Sequence, residues 1–209
     1  MVKTRLYLIR HGQTINTPKG VFRYNGYLDV DITREGITQM ESVALFLKER
    51  PLKNVYSSDL IRAFRGAKII ASYHGLIPVV MPDFREIKQG LWEGLTFEEI
   101  ISFFPLETEK KFSDIVNYRI PGGENFIDAH NRVIPKIESL MWENKGSEFV
   151  VVAHGGVNMI ILAHYLKMEL KDILRLKQDF GCINIIDFYD DFPQVRLING
   201  NLRFDDYFL

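Results

Sequence analysis

The sequence predicts an α/β fold, a three-layer α/β/α sandwich built on a mostly parallel central sheet. Three observations carry that expectation. Short apolar runs alternate with segments of helical periodicity along the chain, the pattern that sets parallel strands between covering helices. Two of those runs end in histidine and glycine, at Arg10-His11-Gly12 and His154-Gly155-Gly156, and in open α/β sheets ligands bind beyond the carboxyl ends of strands. The length of 209 residues suits a single domain over 1-209, with a core large enough to hold a rigid site.

Thr4 to Ile9 is a short apolar run that reads as the first strand, ending in a loop at His11. Thr33 is placed to cap a helix over Arg34 to Glu49, where Ile37, Met40, Ala44 and Leu47 recur at helical spacing before Pro51. A second strand follows at Asn54 to Ser57. Asp59 then opens a helix running to about Tyr73, which puts Arg62 in its first turn. Ile77 to Met81 reads as a third strand, and REIKQGLWEG after it as a glycine-containing loop that presents Glu86 on a flexible or exposed segment. Thr96 to Tyr118 predicts short helical pieces broken at Pro105, a cap-like excursion around 96-120 over the site. A long helix from Glu124 to Trp142, a strand from Glu148 to Ala153 and a helix from Val157 to Leu166 follow. Ile183 to Tyr189 and Val195 to Asn199 read as closing strands, joined through Asp190-Asp191-Phe192-Pro193.

Composition narrows the function. With 46% hydrophobic, 12% aromatic and 25% charged residues, the chain falls in the globular range. A net charge of -1 gives no global field toward nucleic acid or an anionic membrane, so any affinity for anions must be local. The lone Cys182 forms no intramolecular disulfide and no thiolate cluster, and reads as a buried small hydrophobe. The apolar stretch at the N-terminus is too short for a signal peptide, and no run is long enough to cross a bilayer. These features lead us to expect a cytoplasmic protein without nucleic-acid or membrane partners. The assembly state stays open, a homodimer included.

The candidate chemistry is phosphate chemistry. A phosphate monoester is a dianion, and attack on it without metal needs fixed positive groups and a neutral, potent nucleophile. Arg10 and Arg62 supply planar forks that match phosphate oxygens and stay charged. His11 can attack phosphorus while its ring is unprotonated, which the arginines favour, provided that a carbonyl or carboxylate fixes its tautomer. His154 can donate a hydrogen bond to a phosphoryl oxygen, and Gly155 and Gly156 let backbone approach closely. Glu86 can protonate the leaving alcohol, since a bound dianion favours the protonated carboxyl, and can then activate water. Taken singly, His154 reads as a core histidine, Arg62 as a solvated helix residue and Glu86 as an ordinary loop charge.

Together, LIRHGQT (8-14), SSDLIRA (57-63), REIKQGLWEG (85-94), PGGEN (121-125) and VVAHGG (151-156) resemble, in this order, the histidine phosphatase superfamily, also called phosphoglycerate mutase-like. The resemblance covers roughly residues 3 to 170. It implies a phosphoglycerate mutase-like fold, a phosphorylated histidine at His11, a phosphate pocket of Arg10, Arg62 and His154, a proton donor at Glu86, no cofactor, and a small phosphorylated metabolite as substrate. Gln13 stands where the family often has glutamate. The family's next polar contact falls on Thr17, with Asn16 one place early, so either is a candidate for the substrate, and Asn25-Gly26 replaces a Gln-Gly pair. Arg10, Asn16, Thr17, Asn25, Gly26, Arg62, Glu86, His154 and Gly155 therefore make up the expected substrate contacts. GLWEGLT looks more like the phosphatase branch than the mutases, and YNGYLDVDIT is similar to the same stretch of α-ribazole phosphatases. Phosphoserine and broad sugar-phosphate phosphatases stay open, as do mutase activity and a phosphate-binding protein without turnover.

Two rivals rest on other residues. Asp29-Val30-Asp31-Ile32-Thr33 matches the DxDxT pattern of haloacid dehalogenase phosphatases, which use aspartate and magnesium, but FRYNGYL before it is a poor strand. A metal hydrolase on His11 and His154 lacks a histidine and carboxylate cluster with zinc spacing, and His74, His130 and His164 supply none. No metal is expected. The walls for the alcohol portion are expected from Phe22 to Leu28 and Thr96 to Tyr118, with Tyr24, Trp92, Phe97 and Phe104 as candidate lining residues that also suit the core.

Overall fold

The alternation of the first strand sets the layers. In β1 (Thr4–Arg10), Leu6 and Leu8 face one side of the sheet while Tyr7 and Ile9 face the other, all of them buried. The computed structural model describes residues 3–18, 20–190 and 192–201. Asp191, part of the expected final turn, and the ends of the expected 1-209 range lie outside them.

The chain continues through α1 (Arg34–Leu47), β2 (Leu52–Ser57), α2 (Ile61–Ser72), β3 (Val79–Val80), α3 (Phe97–Phe103), α4 (Pro105–Ser113), α5 (Phe126–Glu143), β4 (Glu148–Ala153), α6 (Gly155–Leu166), β5 (Ile183–Phe188) and β6 (Pro193–Gly200). The strands form one sheet in the order β3-β2-β4-β1-β5-β6. The first four are parallel, β5 is antiparallel to β1, and β6 is antiparallel to β5. Helices α1 and α2 cover one face through Met40, Val43, Leu47, Ala63, Ala67 and Ile70, which meet Tyr7, Ile9, Val150 and Val152. On the other face α5 and α6 bring Val133, Ile137, Ile160 and Ile161 against Leu6, Leu8, Phe149 and Val151. Each fully buried Val, Leu, Ile, Phe or Met side chain among these contributes on the order of 1.5–3 kcal/mol, so the two stripes hold the three layers together.

Local chemistry decides several ends. Thr33 caps α1 as expected, accepting from the Gly36 N–H at 2.9 Å, a contribution of about 1 kcal/mol. Asp59 does not cap α2; Leu60 occupies that position with no side-chain bond, because the Asp59 carboxylate pairs with Arg85. The long helix starts at Phe126 rather than Glu124, since Asn125 and Asp128 form a reciprocal capping box. Helix α6 begins two residues before Val157, at Gly155. The expected strand 77–81 shrinks to Val79–Val80 at the sheet edge, with Ile77 87% exposed. The 96–120 segment carries α3 and α4, and Trp92, Ile100 and Ile120 give it a small core of its own. Among the described residues no helix is long and apolar enough to cross a membrane.

Candidate active site

Topology gathers the expected residues. Arg10 is the last residue of β1 and His11 follows it; Arg62 lies in the first turn of α2 after β2; Glu86 lies beyond β3; His154 joins β4 to α6. Strands β1, β4 and β2 are neighbours in the sheet, so residues far apart in sequence meet at one carboxyl edge. Glycine is required beside the first histidine, because a Cβ on Gly12 would lie 2.3 Å from the Gly36 carbonyl oxygen.

The two histidines carry opposite tautomers. His11 Nδ1 lies 2.8 Å from the Gly12 carbonyl oxygen, so Nδ1 holds the proton and Nε2 keeps its lone pair. This carbonyl is the tautomer-fixing partner that the sequence left unnamed. His154 Nδ1 accepts from Arg62 Nε at 3.2 Å, which leaves the proton on Nε2. The rings meet edge-on with centroids 5.1 Å apart. Burial, then Arg62 and Arg10, push the His11 pKa well below the usual histidine range, and burial and Arg62 lead the same shift at His154. Both rings are therefore neutral at neutral pH.

Arg62 is 1% exposed. It donates to the carbonyls of Leu28 at 2.6 Å and Gly26 at 2.7 Å besides His154, and burial lowers its pKa to about 10. Its fork thus ties the 26–28 loop to His154. Arg10 donates through Nη1 to the Gln178 carbonyl at 2.5 Å and stacks 4.0 Å from the centre of the Phe180 ring. Arg10 Nε and His154 Nε2 are both buried without a hydrogen-bond partner. Two N–H groups in that state beside a nucleophile with a free lone pair suit an anion.

Glu86 is firmly held rather than presented on a flexible loop. Its carboxylate accepts from the N–H groups of Ile87 at 2.9 Å and Gly156 at 3.1 Å. Arg132 from α5 pins the segment from below, donating to the carbonyls of Asp83 at 2.6 Å and Glu86 at 3.1 Å.

These groups open onto a cavity of about 250 Å³. Arg10, His11, Thr17, Asn25, Gly26, Arg62 and Glu86 line it. Three expected contacts do not. Asn16 spends its amide on Asn25 at 2.5 Å and accepts from Thr14, so it braces Asn25. Gly155 packs against the Arg10 guanidinium, and Gly156 takes its place on the wall. His154 is fully buried, edge-on to the His11 ring. Of the aromatic candidates Tyr24 and Trp92 reach the cavity, whereas Phe97 and Phe104 do not. The rival aspartates are engaged elsewhere: Asp29 accepts from the Ile61 N–H at 2.6 Å, and Asp31 pairs with Arg65 at 2.5 Å. Among the described residues no three His, Cys, Asp or Glu side chains converge as a metal site.

A family model described as the histidine phosphatase superfamily, branch 1, matches residues 6–201. The chain belongs to this superfamily. It is 37% identical over 157 residues to phosphoglycerate mutase-like protein 4 of Arabidopsis thaliana, covering 73% of this chain and 66% of that one. Adenosylcobalamin/alpha-ribazole phosphatase of Salmonella typhimurium is 26% identical over 201 residues, covering 94% and 96% of the two chains. Among solved structures, mycobacterial glucosyl-3-phosphoglycerate phosphatase superposes with a TM-score of 0.85 at 27% identity, covering 95% and 100%. The chain spans about half the length of some curated relatives, 54% of a bifunctional protein of Mycobacterium tuberculosis for instance.

Several residues around this histidine phosphatase site carried no sequence signal. Phe180 touches both Arg10 and His11, and a buried amide cluster of Gln178, Asn184 and Asn158 stands behind Arg10. Arg132 belongs to the same group, whereas Lys111 lies in the 96–118 segment expected to wall the alcohol portion. Asn158 stands just past VVAHGG, but Gln178, Phe180 and Asn184 lie outside every motif, and their place relative to the site depends on packing.

Proposed function

We propose that the protein is a phosphatase that hydrolyses small phosphate monoesters through a phosphohistidine intermediate, with no metal ion. The observation that carries this reading is the pair of buried, partnerless N–H groups, Arg10 Nε and His154 Nε2, beside a His11 ring whose Gly12 contact leaves Nε2 as the free lone pair. In the first step Nε2 of His11 attacks phosphorus and the bond to the ester oxygen breaks. Glu86 gives its proton to that oxygen, so a neutral alcohol departs. Arg10, Arg62 and the His154 N–H meet the charge on the transferring group. In the second step Glu86 takes a proton from water, whose oxygen attacks the phosphohistidine and releases inorganic phosphate and neutral His11. Burial and the two arginines keep the nucleophile unprotonated, and the positive end of α6 adds to the anion's field.

The names of the relatives support phosphatase chemistry, and a buried, unpaired Cys182 agrees with a cytoplasmic setting. The test is hydrolysis of p-nitrophenyl phosphate in excess EDTA by wild type and His11→Ala. Turnover by wild type with loss in the variant is expected, together with an acid-labile, alkali-stable phosphoryl label on the wild-type protein. EDTA-sensitive turnover, or activity in His11→Ala, overturns the reading. Transfer of the label to an added alcohol in preference to water points to a mutase.

A further inference from the structure

The wall of the cavity also holds a charge that the phosphoryl chemistry does not use. Away from the arginines and histidines the lining is largely apolar, with Phe22, Phe112, Ile115 and Phe126 among its residues. Lys111 of α4 stands in that wall with 7% of its surface exposed. Its ammonium donates to the carbonyls of Ile115 at 2.6 Å and Tyr118 at 3.0 Å and lies 4.5 Å from the centre of the Phe126 ring. It takes part in none of the ion pairs among the described residues. Burial pushes its pKa down to about 8, against a small opposing pull from Asp114. A buried cation without a counter-ion is costly, and the cost is relieved when a ligand supplies the anion.

A second donor lies on the same walls. Trp92 is 2% exposed, and its indole Nε1 is buried with no acceptor. Buried indole N–H groups ordinarily find a partner.

We propose that Lys111 and Trp92 form a subsite for a carboxylate on the alcohol portion of the substrate, so that the preferred phosphate monoester is also a carboxylic acid. An ammonium has three N–H groups, and two of those on Lys111 are taken by carbonyls. The one left and the indole N–H give the walls of this cavity two donors, as many as a carboxylate has oxygens, whereas a second phosphate dianion would call for more. Charge-assisted hydrogen bonds of this kind set selectivity of ~10- to 100-fold. The proposal rests on the phosphomonoesterase reading above.

The test compares 3-phosphoglycerate with glycerol 3-phosphate, which replaces the carboxylate by a hydroxymethyl group. The readout is the ratio of kcat/KM for the acid to that for the alcohol. Wild type is expected to favour the acid at least tenfold, Lys111→Met to bring the ratio near one, and Lys111→Arg to keep part of the preference. Trp92→Phe, which retains the ring and removes the N–H, is expected to lower the ratio several-fold and serves if Lys111→Met does not fold. A wild-type ratio near one, or a ratio that Lys111→Met and Trp92→Phe leave unchanged, overturns the subsite while leaving the phosphatase reading intact. If wild type hydrolyses neither ester and no aryl phosphate, the phosphatase reading itself has failed and the subsite falls with it.

Discussion

Gly156→Ala separates the position of Glu86 from its chemistry. A Cβ at residue 156 would stand 2.7 Å from Glu86 Oε1 and 2.8 Å from Ile87 Cδ1. Ordinary contacts lie near ~3.5 Å, so the carboxylate must move by roughly 1 Å to restore one. The cost of overpacking, about 1–3 kcal/mol, is partly offset because alanine is worth about 1 kcal/mol more than glycine inside a helix. The variant should therefore fold, destabilised by about 2 kcal/mol at most. A misplacement of this size costs up to about 10²-fold in rate, within the ~10²–10⁴-fold that an acid–base group supplies. The assay compares kcat/KM, which reports phosphoryl transfer to His11, for an alkyl and an aryl ester. The glycerol of glycerol 3-phosphate is a poor alkoxide leaving group and needs the proton, so kcat/KM for that ester should fall by about 10²-fold. The p-nitrophenolate of the aryl ester leaves unaided, so its loss should stay under about 10-fold. Equal losses for the two esters, or none for either, would refute the assignment of Glu86 as proton donor.

Three further outcomes follow from the geometry. Arg62→Lys keeps the charge but cannot reproduce the fork that reaches His154, Leu28 and Gly26 together, and kcat/KM for the aryl ester should fall by ~10²–10³-fold. Phe180→Ala removes the ring under Arg10, a contact of about 1–2 kcal/mol; steady-state kinetics should show KM rising by about 10-fold with a smaller change in kcat. The native pKa values of His11 and His154 are depressed, so the unfolded chain binds more protons below the ordinary histidine value of ~6.5. Their contribution to stability is complete above that pH and is lost as pH falls from it toward the native values, by about 1.4 kcal/mol per pH unit for each ring. Urea unfolding between pH 7.5 and 5 checks this, and His154→Phe should show a shallower slope.

Much of the fold was legible because the apolar patterns were long and bounded. Strand β4 and helices α1 and α5 fall within one or two residues of their expected ranges, and Met40, Ala44 and Leu47, marked by their spacing in α1, are buried against the sheet. Errors gathered where a side chain had a competing partner. Asp59 looked like a cap until Arg85 claimed it, and Asn16 looked like a ligand contact until Asn25 did. The edge strand was overread because Ile77 to Met81 is apolar, yet only Val79 and Val80 find neighbours to pair with on β2.

By itself the sequence determined the superfamily, the layered architecture and the positions of Arg10, His11, Arg62, Glu86 and His154, because the first and fourth strands end in His-Gly motifs, the helix after β2 carries Arg62 in its first turn, and the five motifs occur in the family's order. Only the tertiary structure decided which histidine nitrogen keeps its proton, which carbonyls and N–H groups hold Arg62 and Glu86, and that the Lys111 side chain and Phe180 join the expected Trp92 in the cavity. The reason is physical: a tautomer, a depressed pKa or a pocket wall is set by groups within a few ångströms in space, and here those groups come from elements scattered along the chain.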